Sequence, residues 1–181
     1  MRIVAGAWRG RKLVAPKGET TRPTADRTRE TLFNMLTSRL GSFEGLSVGD
    51  LFAGSGALGM EALSRGAAHC LFVEQEPEAL KAIRANIAAF GARDRTSVQA
   101  GSVMALGAAR SAHDLILLDP PYGTGAGQVA LDRMMRYGWF DASSWIVLET
   151  GVNEIVSIKQ LDIEAERRVG KAKLTFLRLA S

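Results

Sequence analysis

Residues Asp50 to Leu63 read DLFAGSGALGMEAL. An apolar run takes in an acid, passes through Gly54, Gly56 and Gly59, and continues into helix-forming residues. The spacing is G-x-G-x-x-G between a strand and a helix. Glycines there let the backbone turn sharply, and let a ligand come close where a Cβ would stand. The next apolar run, HCLFVE, closes on Glu74. An acid at that place can accept hydrogen bonds from both hydroxyls of an adenosine ribose. A strand, a glycine turn, a helix and a second strand ending in an acid form the opening unit of an α/β sheet.

The pattern continues in both directions. Short apolar runs SVGDLF (47–52), HCLFVE (69–74), TSVQA (96–100), HDLILLD (113–119) and SWIVLET (144–150) alternate with helical patterns near 57–65, 77–90, 102–109 and 126–137. Such alternation predicts a parallel sheet with helices on both faces. After Gly151 two runs, EIVSIKQLDI and KLTFLRLA, follow with no helix between them and read as an antiparallel pair. The predicted fold class is α/β; seven strands, the last two a hairpin, resemble the Rossmann-like methyltransferase fold rather than the six-strand dinucleotide fold, which periodicity alone does not separate from it. The predicted seven-stranded sheet is mostly parallel and ends in a C-terminal antiparallel hairpin. Upstream, RIVA and RKLVA flank WRG and read as a small hairpin. Beyond a polar loop, Thr24 is placed to cap a helix starting at Ala25. Leu32, Leu36 and Leu40, with Phe33, form its buried stripe; Arg27, Glu30 and Asn34 lie on other faces, and Gly41 stops it.

At 181 residues the chain suits one domain, 1–181, with a basic extension over 1–40 and a catalytic core over 41–181. No apolar run approaches the roughly 20 residues of a membrane span, and the N-terminus lacks the apolar stretch of a signal peptide. A single cysteine, Cys70 in an apolar run, fits a reducing, cytoplasmic compartment. With no His/Asp/Glu cluster at ligand spacing, no metal site is expected. The first 40 residues hold nine Lys/Arg against three acids, a charge of +6, and leave −2 for the rest of a chain of net +4. A basic segment on a near-neutral body suits a polyanionic partner.

The glycine loop alone fits either NAD or S-adenosylmethionine. Asp50 beside it would repel a pyrophosphate, whereas a sulfonium and an ammonium would gain from it. A second stretch bears on the choice. LLDPPYG, Leu117 to Gly123, places Asp119 at the end of the fourth strand, on the edge where open α/β sheets bind ligands. Pro120 and Pro121 fix the backbone and offer carbonyls without N–H groups. Tyr122 adds a flat ring. This acceptor-only corner suits a planar base with an exocyclic amine, which would donate to Asp119 and the Pro120 carbonyl and stack on Tyr122. Held out of conjugation, the amine lone pair would be aimed at an electrophilic methyl.

DPPY, DLFAGSGALGMEALSRGA and the N-terminal MRIVAGAWRGRKL and RPTADRTRETLFNML together resemble the bacterial 16S rRNA guanine-N2 methyltransferases, the RsmD family. The similarity runs through nearly the whole chain. It implies S-adenosylmethionine-dependent methylation of the N2 amine of a guanine in small-subunit 16S rRNA, guanine-966 in the family. It also implies action on RNA in an assembling small subunit. By position, Asp50, Phe52, Ala53, Gly54, Gly56, Glu74 and Gln75 would hold the cofactor. Ser102 and Val103 would lie near the adenine, Asp119 would also touch the cofactor, and Asp119, Pro120, Pro121 and Tyr122 would form the amine site. Arg9, Arg11, Lys12, Arg22, Arg27 and Arg29 would face RNA phosphates, with Trp8 as a stacking surface. A monomer is expected. The glycine-rich segment after DPPY is expected to act as a mobile lid. Alternatives are a methyltransferase for another nucleic-acid or protein amine, an NAD-linked oxidoreductase, and a non-catalytic assembly factor.

Overall fold

The computed structural model describes residues 1–18 and 23–181, and the side chains of Pro23 and Thr24 lie outside the description. A seven-stranded sheet in the order β3-β2-β1-β4-β5-β7-β6 organises the chain. Its strands are β1 (Ser47–Leu51), β2 (His69–Glu74), β3 (Thr96–Ala100), β4 (Leu115–Leu118), β5 (Trp145–Gly151), β6 (Leu161–Val169) and β7 (Ala172–Leu179). The first five run parallel; β7 pairs antiparallel with both β5 and β6. The helices are α1 (Pro23–Leu40), α2 (Ala57–Ser64), α3 (Pro77–Ala89) and α4 (Ala126–Arg136). From β1 the chain winds outward through β2 to β3, then returns to β4 on the other side of β1. Ligands bind at such a reversal in open α/β sheets.

The central strands β1, β4 and β5 are buried on both faces over most of their length, so they read as continuous apolar runs. Leu115 and Leu117 of β4 join a core with Phe33, Leu36, Met60, Cys70 and Phe72. Ile116 and Leu118 join the opposite core with Leu131, Met134, Ile146 and Leu148. The edge strand β6 carries exposed Asp162, Glu164, Glu166, Arg167 and Arg168, charges that discourage further pairing.

Four element expectations change. The helix expected over 102–109 is a single 3-10 turn, Val103–Ala105. Ser102 Oγ accepts the Met104 N–H, and Leu106 is already extended. The strand expected over EIVSIKQLDI begins only at Leu161, after Gln160 at φ 74. Val156 and Ile158 are buried by connecting chain against the α4-side core, so their alternation mimics a strand. The N-terminal hairpin is reduced to one bridge, Arg2 with Lys12. Helix α1 opens at Pro23, ahead of Ala25. The expected stripe holds, since Leu32, Phe33 and Leu36 are buried. Gly41 ends the helix at φ 74, its N–H reaching the Thr37 carbonyl.

The basic N-terminal segment is tied into the core. Glu61 of α2 has no exposed surface and accepts the Val4 and Ala5 N–H groups at 2.8 and 3.1 Å. Asn86 of α3 bonds Val14 through both its N–H and its carbonyl. Ile3 and Leu13 share the core that holds α1.

Candidate functional site

Strand register places the site. Leu51 is level with Val73 and with Leu118, and Leu118 with Leu148. The next residues of each strand therefore share one level at the carboxyl edge of the sheet. They are Glu74 on β2, Phe52 after β1, Asp119 after β4 and Glu149 on β5. All four line one cavity of about 990 Å³.

At one end of this row Glu74 shapes the glycine turn. Its Oε1 accepts the Gly54 N–H at 2.8 Å, and its Oε2 accepts the Gln75 and Glu76 N–H groups at 2.8 and 2.9 Å. Phe52 stands at φ 59, a left-handed conformation that costs about 1–3 kcal/mol for a residue with a side chain. Gly54 is also left-handed, and a Cβ added to it would meet nothing within 4 Å. The turn thus offers bare backbone to the cavity. Ala53, Gln75, Gly101 and Val103 complete this end. Carboxylate, exposed backbone and apolar wall fit an adenosine-bearing ligand, whose ribose hydroxyls could donate to Glu74.

Three expected cofactor residues stand behind this wall. Asp50 has no exposed surface, and its Oδ2 accepts the Gly59 N–H at 2.9 Å. Gly59 is the third residue of α2, and the helix has no side-chain cap of its own, so Asp50 satisfies one of its open donors. Burial pushes the Asp50 carboxyl up to about 8, opposed by the Gly59 hydrogen bond and reinforced by the Glu74 charge. Asp50 thus serves the turn into α2 from behind the residues that line the cavity, and its placement adds no support to the expected attraction for a sulfonium. Gly56 packs inward, where a Cβ would come within 3.1 Å of Phe72, and caps α2 from a left-handed conformation. Ser102 bonds its own turn.

At the other end Asp119, Pro120, Pro121 and Tyr122 face the same cavity. The Pro121 carbonyl accepts the Thr124 hydroxyl at 2.9 Å, which closes the turn into α4. The Tyr122 ring is 46% exposed, and its hydroxyl donates to Glu149 Oε2 at 2.6 Å. Burial, that hydrogen bond and the charges of Glu149, Asp119 and Glu154 hold the phenol well above its ordinary range, so it stays a donor. Glu149 escaped the sequence reading. The available signal was its place at the end of an apolar run, the same signal that marked Asp119.

The expected RNA-facing residues divide. Arg9, Lys12 and Arg27 are exposed. Arg11, also exposed, lies over the Phe90 ring at 4.1 Å and donates to the Ala89 carbonyl. Trp8 is partly buried against Phe90, with ring centroids 5.0 Å apart. Arg29 is corrected: at 4% exposure it pairs with Asp26 at 3.3 Å and Glu61 at 3.7 Å, and bonds the Arg2 carbonyl. Turning outward would cost it both acidic partners and leave Glu61 with Arg65 as its one guanidinium among the described residues. Arg22 lies outside the described residues.

The model of the family described as Conserved hypothetical protein 95 matches residues 1–178. The chain belongs to this family. It is the RsmD family, and the chain is a methyltransferase of it. Ribosomal RNA small subunit methyltransferase D of Escherichia coli K12 is 36% identical over 152 residues, 84% of this chain and 75% of that protein. The protein of the same name from Haemophilus influenzae is 34% identical over 154 residues, 83% of this chain and 78% of its own. Among solved structures, a methyltransferase candidate from Escherichia coli superposes with a TM-score of 0.85 at 32% identity, covering 100% of this chain and 98% of its own. A methylase candidate from Haemophilus influenzae gives 0.82 at 27% identity, covering 99% and 98%. Among the described residues no helix is long and apolar enough to cross a membrane.

Proposed function

We propose that this RsmD-family protein transfers a methyl group from S-adenosylmethionine to the exocyclic N2 of guanine-966 in small-subunit 16S rRNA. The supporting observation is the row that carries Glu74, Phe52 and Asp119 at one level across the switch point of the sheet. A methyl donor and its acceptor must meet end to end, and this row gives each its own half of one cavity.

When bound, S-adenosylmethionine supplies an electrophilic methyl carbon whose bonding pair returns to sulfur on transfer. Glu74 would hold the ribose hydroxyls, and the bare backbone at Gly54 would let the donor approach the turn. Gly101 and Val103, which line the same end, would hold the adenine. The Asp119 carboxylate and the Pro120 carbonyl accept the two N–H groups of the amine, and Tyr122 stacks on the ring. This geometry aims the nitrogen lone pair along the cavity toward the methyl, and positioning of this kind supplies much of the rate. The proton shed by the amine leaves along the Asp119 hydrogen bond, where the carboxylate stabilises charge developing on nitrogen. The exposed Arg9, Lys12 and Arg27 supply phosphate contacts, which position an RNA without reading its sequence. The substrate is an assembling small subunit, and the enzyme acts in the cytoplasm as a monomer.

Tritium transfer from labelled S-adenosylmethionine to small subunits lacking this modification, followed by nucleoside analysis, tests the reading. N2-methylguanosine is expected. Its absence under conditions of proven cofactor binding overturns the proposal. Asp119→Ala should abolish transfer yet leave most cofactor affinity, and equal loss of both would remove Asp119 from the amine site.

A further inference from the structure

Glu149 has a fixed place in the cavity and no part in the mechanism above. It stands one strand over from Asp119 at the same level, because Leu118 pairs with Leu148. Neighbouring strands lie about 4.8 Å apart, and residues in register on parallel strands point to the same face. Two carboxylates therefore stand side by side along the wall where the target base must lie. Glu149 is held in place: its Oε2 accepts the Tyr122 hydroxyl at 2.6 Å, and its other oxygen accepts no bond from the described residues.

We propose that Glu149 reads the ring N1–H of the target base and so makes the site select guanine. The inference rests on the methyl-transfer reading above and extends it from the amine to its neighbour. Bases with an exocyclic amine differ at the ring nitrogen beside it. Guanine presents a donor there, N1–H next to N2–H. Adenine and cytosine present a bare acceptor next to the amine. A pair of carboxylates matches two adjacent donors. Against adenine or cytosine, Glu149 would face a lone pair, and a buried acceptor left against an acceptor is what gives polar sites their large discrimination. Tyr122 serves both functions, since its ring stacks on the base while its hydroxyl orients the reading carboxylate.

The test exchanges the donor on each side. Small subunits are reconstituted with 16S rRNA bearing either guanine or 2-aminopurine at the target. The analogue keeps the N2 amine but has an acceptor at N1. Wild-type protein should prefer guanine by about 10- to 100-fold in kcat/KM, the discrimination of one paired base edge. Glu149→Gln keeps an oxygen for the Tyr122 hydroxyl and turns an N–H toward N1. It should lower transfer to guanine and shrink or invert the preference by at least about 10-fold, with cofactor affinity unchanged. Tyr122→Phe keeps the ring but frees Glu149, and should also erode the preference. The missing O6 of the analogue weighs equally on all three proteins, so the change in preference isolates N1. An unchanged preference in Glu149→Gln, with guanine still methylated, overturns the inference and leaves the functional reading standing. A wild-type protein inactive on guanine overturns the functional reading itself, and this inference with it.

Discussion

At Asp50 the burial that pushes the carboxyl up to about 8, from an ordinary 3.8, also sets a response to pH. The folded state binds a proton that the unfolded state has released across that window. The stability contributed by the protonated form is complete below about pH 4 and is lost as pH rises through about 8. Asp50→Asn keeps an acceptor for the Gly59 N–H and cannot ionise. Its melting temperature should therefore gain on wild type as pH rises across this range; parallel curves would mean that Asp50 is ionised in the fold. At Glu74 one carboxylate both closes the glycine turn and faces the cavity. Glu74→Ala should weaken S-adenosylhomocysteine binding by about 100-fold or more in calorimetry, the cost of two lost hydrogen bonds to a charged group, and unchanged affinity would refute the role. The sequence marked Glu74 and Asp119 because each ends an apolar run beside a recognisable motif. It did not reveal that Asp50 turns into the fold, because whether a carboxylate faces ligand or core depends on the helix packed over it. Arg29 was misread for the same reason: its buried partner, Glu61, belongs to another helix.

Among the elements, α2 does more than follow the glycine turn. Its Glu61 gathers two N–H groups of the N-terminal segment and the guanidiniums of Arg29 and Arg65. Glu61→Ala leaves Arg29 buried beside an empty place, and breaking such a pair costs about 3–5 kcal/mol. Chemical denaturation should show that loss, and amide exchange at Val4 and Ala5 should quicken ahead of the rest. Exchange confined to global unfolding would show the segment is held by its apolar contacts instead. Helix α1 and strands β1 to β5 were legible because burial imposes a simple period on each. The 102–109 segment and the start of β6 were not. An apolar residue buried by connecting chain gives the same alternating signal as a strand, and a lone 3-10 turn the same local signal as a helix.

For the molecule as a whole, the uneven charge of the sequence becomes a surface. Arg2, Arg9, Lys12, Lys17 and Arg27 are exposed on the N-terminal segment, which packs on the sheet that carries the cavity. Replacing Arg9 and Arg27 together by Ala should flatten the dependence of log affinity on log salt by about 1.5 for small subunits, at about 0.7–0.9 per lost phosphate contact. Arg29→Ala should instead lower the melting temperature, and a salt slope altered by Arg29 alone would return it to the RNA surface. The strand sequence was readable along the chain, but the alignment of Asp119 with Glu149 was not, because register joins segments that no local pattern connects. The wiring of the sheet has a practical consequence at the bench. Met1 lines the cavity, while β7 runs antiparallel to β5 and carries the chain from Ala172, at the cavity edge, to Leu179 at the opposite edge. A purification tag placed ahead of Met1 would emerge at the mouth of the site and compete with a macromolecular substrate. One fused after Ser181 would hang from the far side, leaving the enzyme open to a particle as large as a ribosomal subunit.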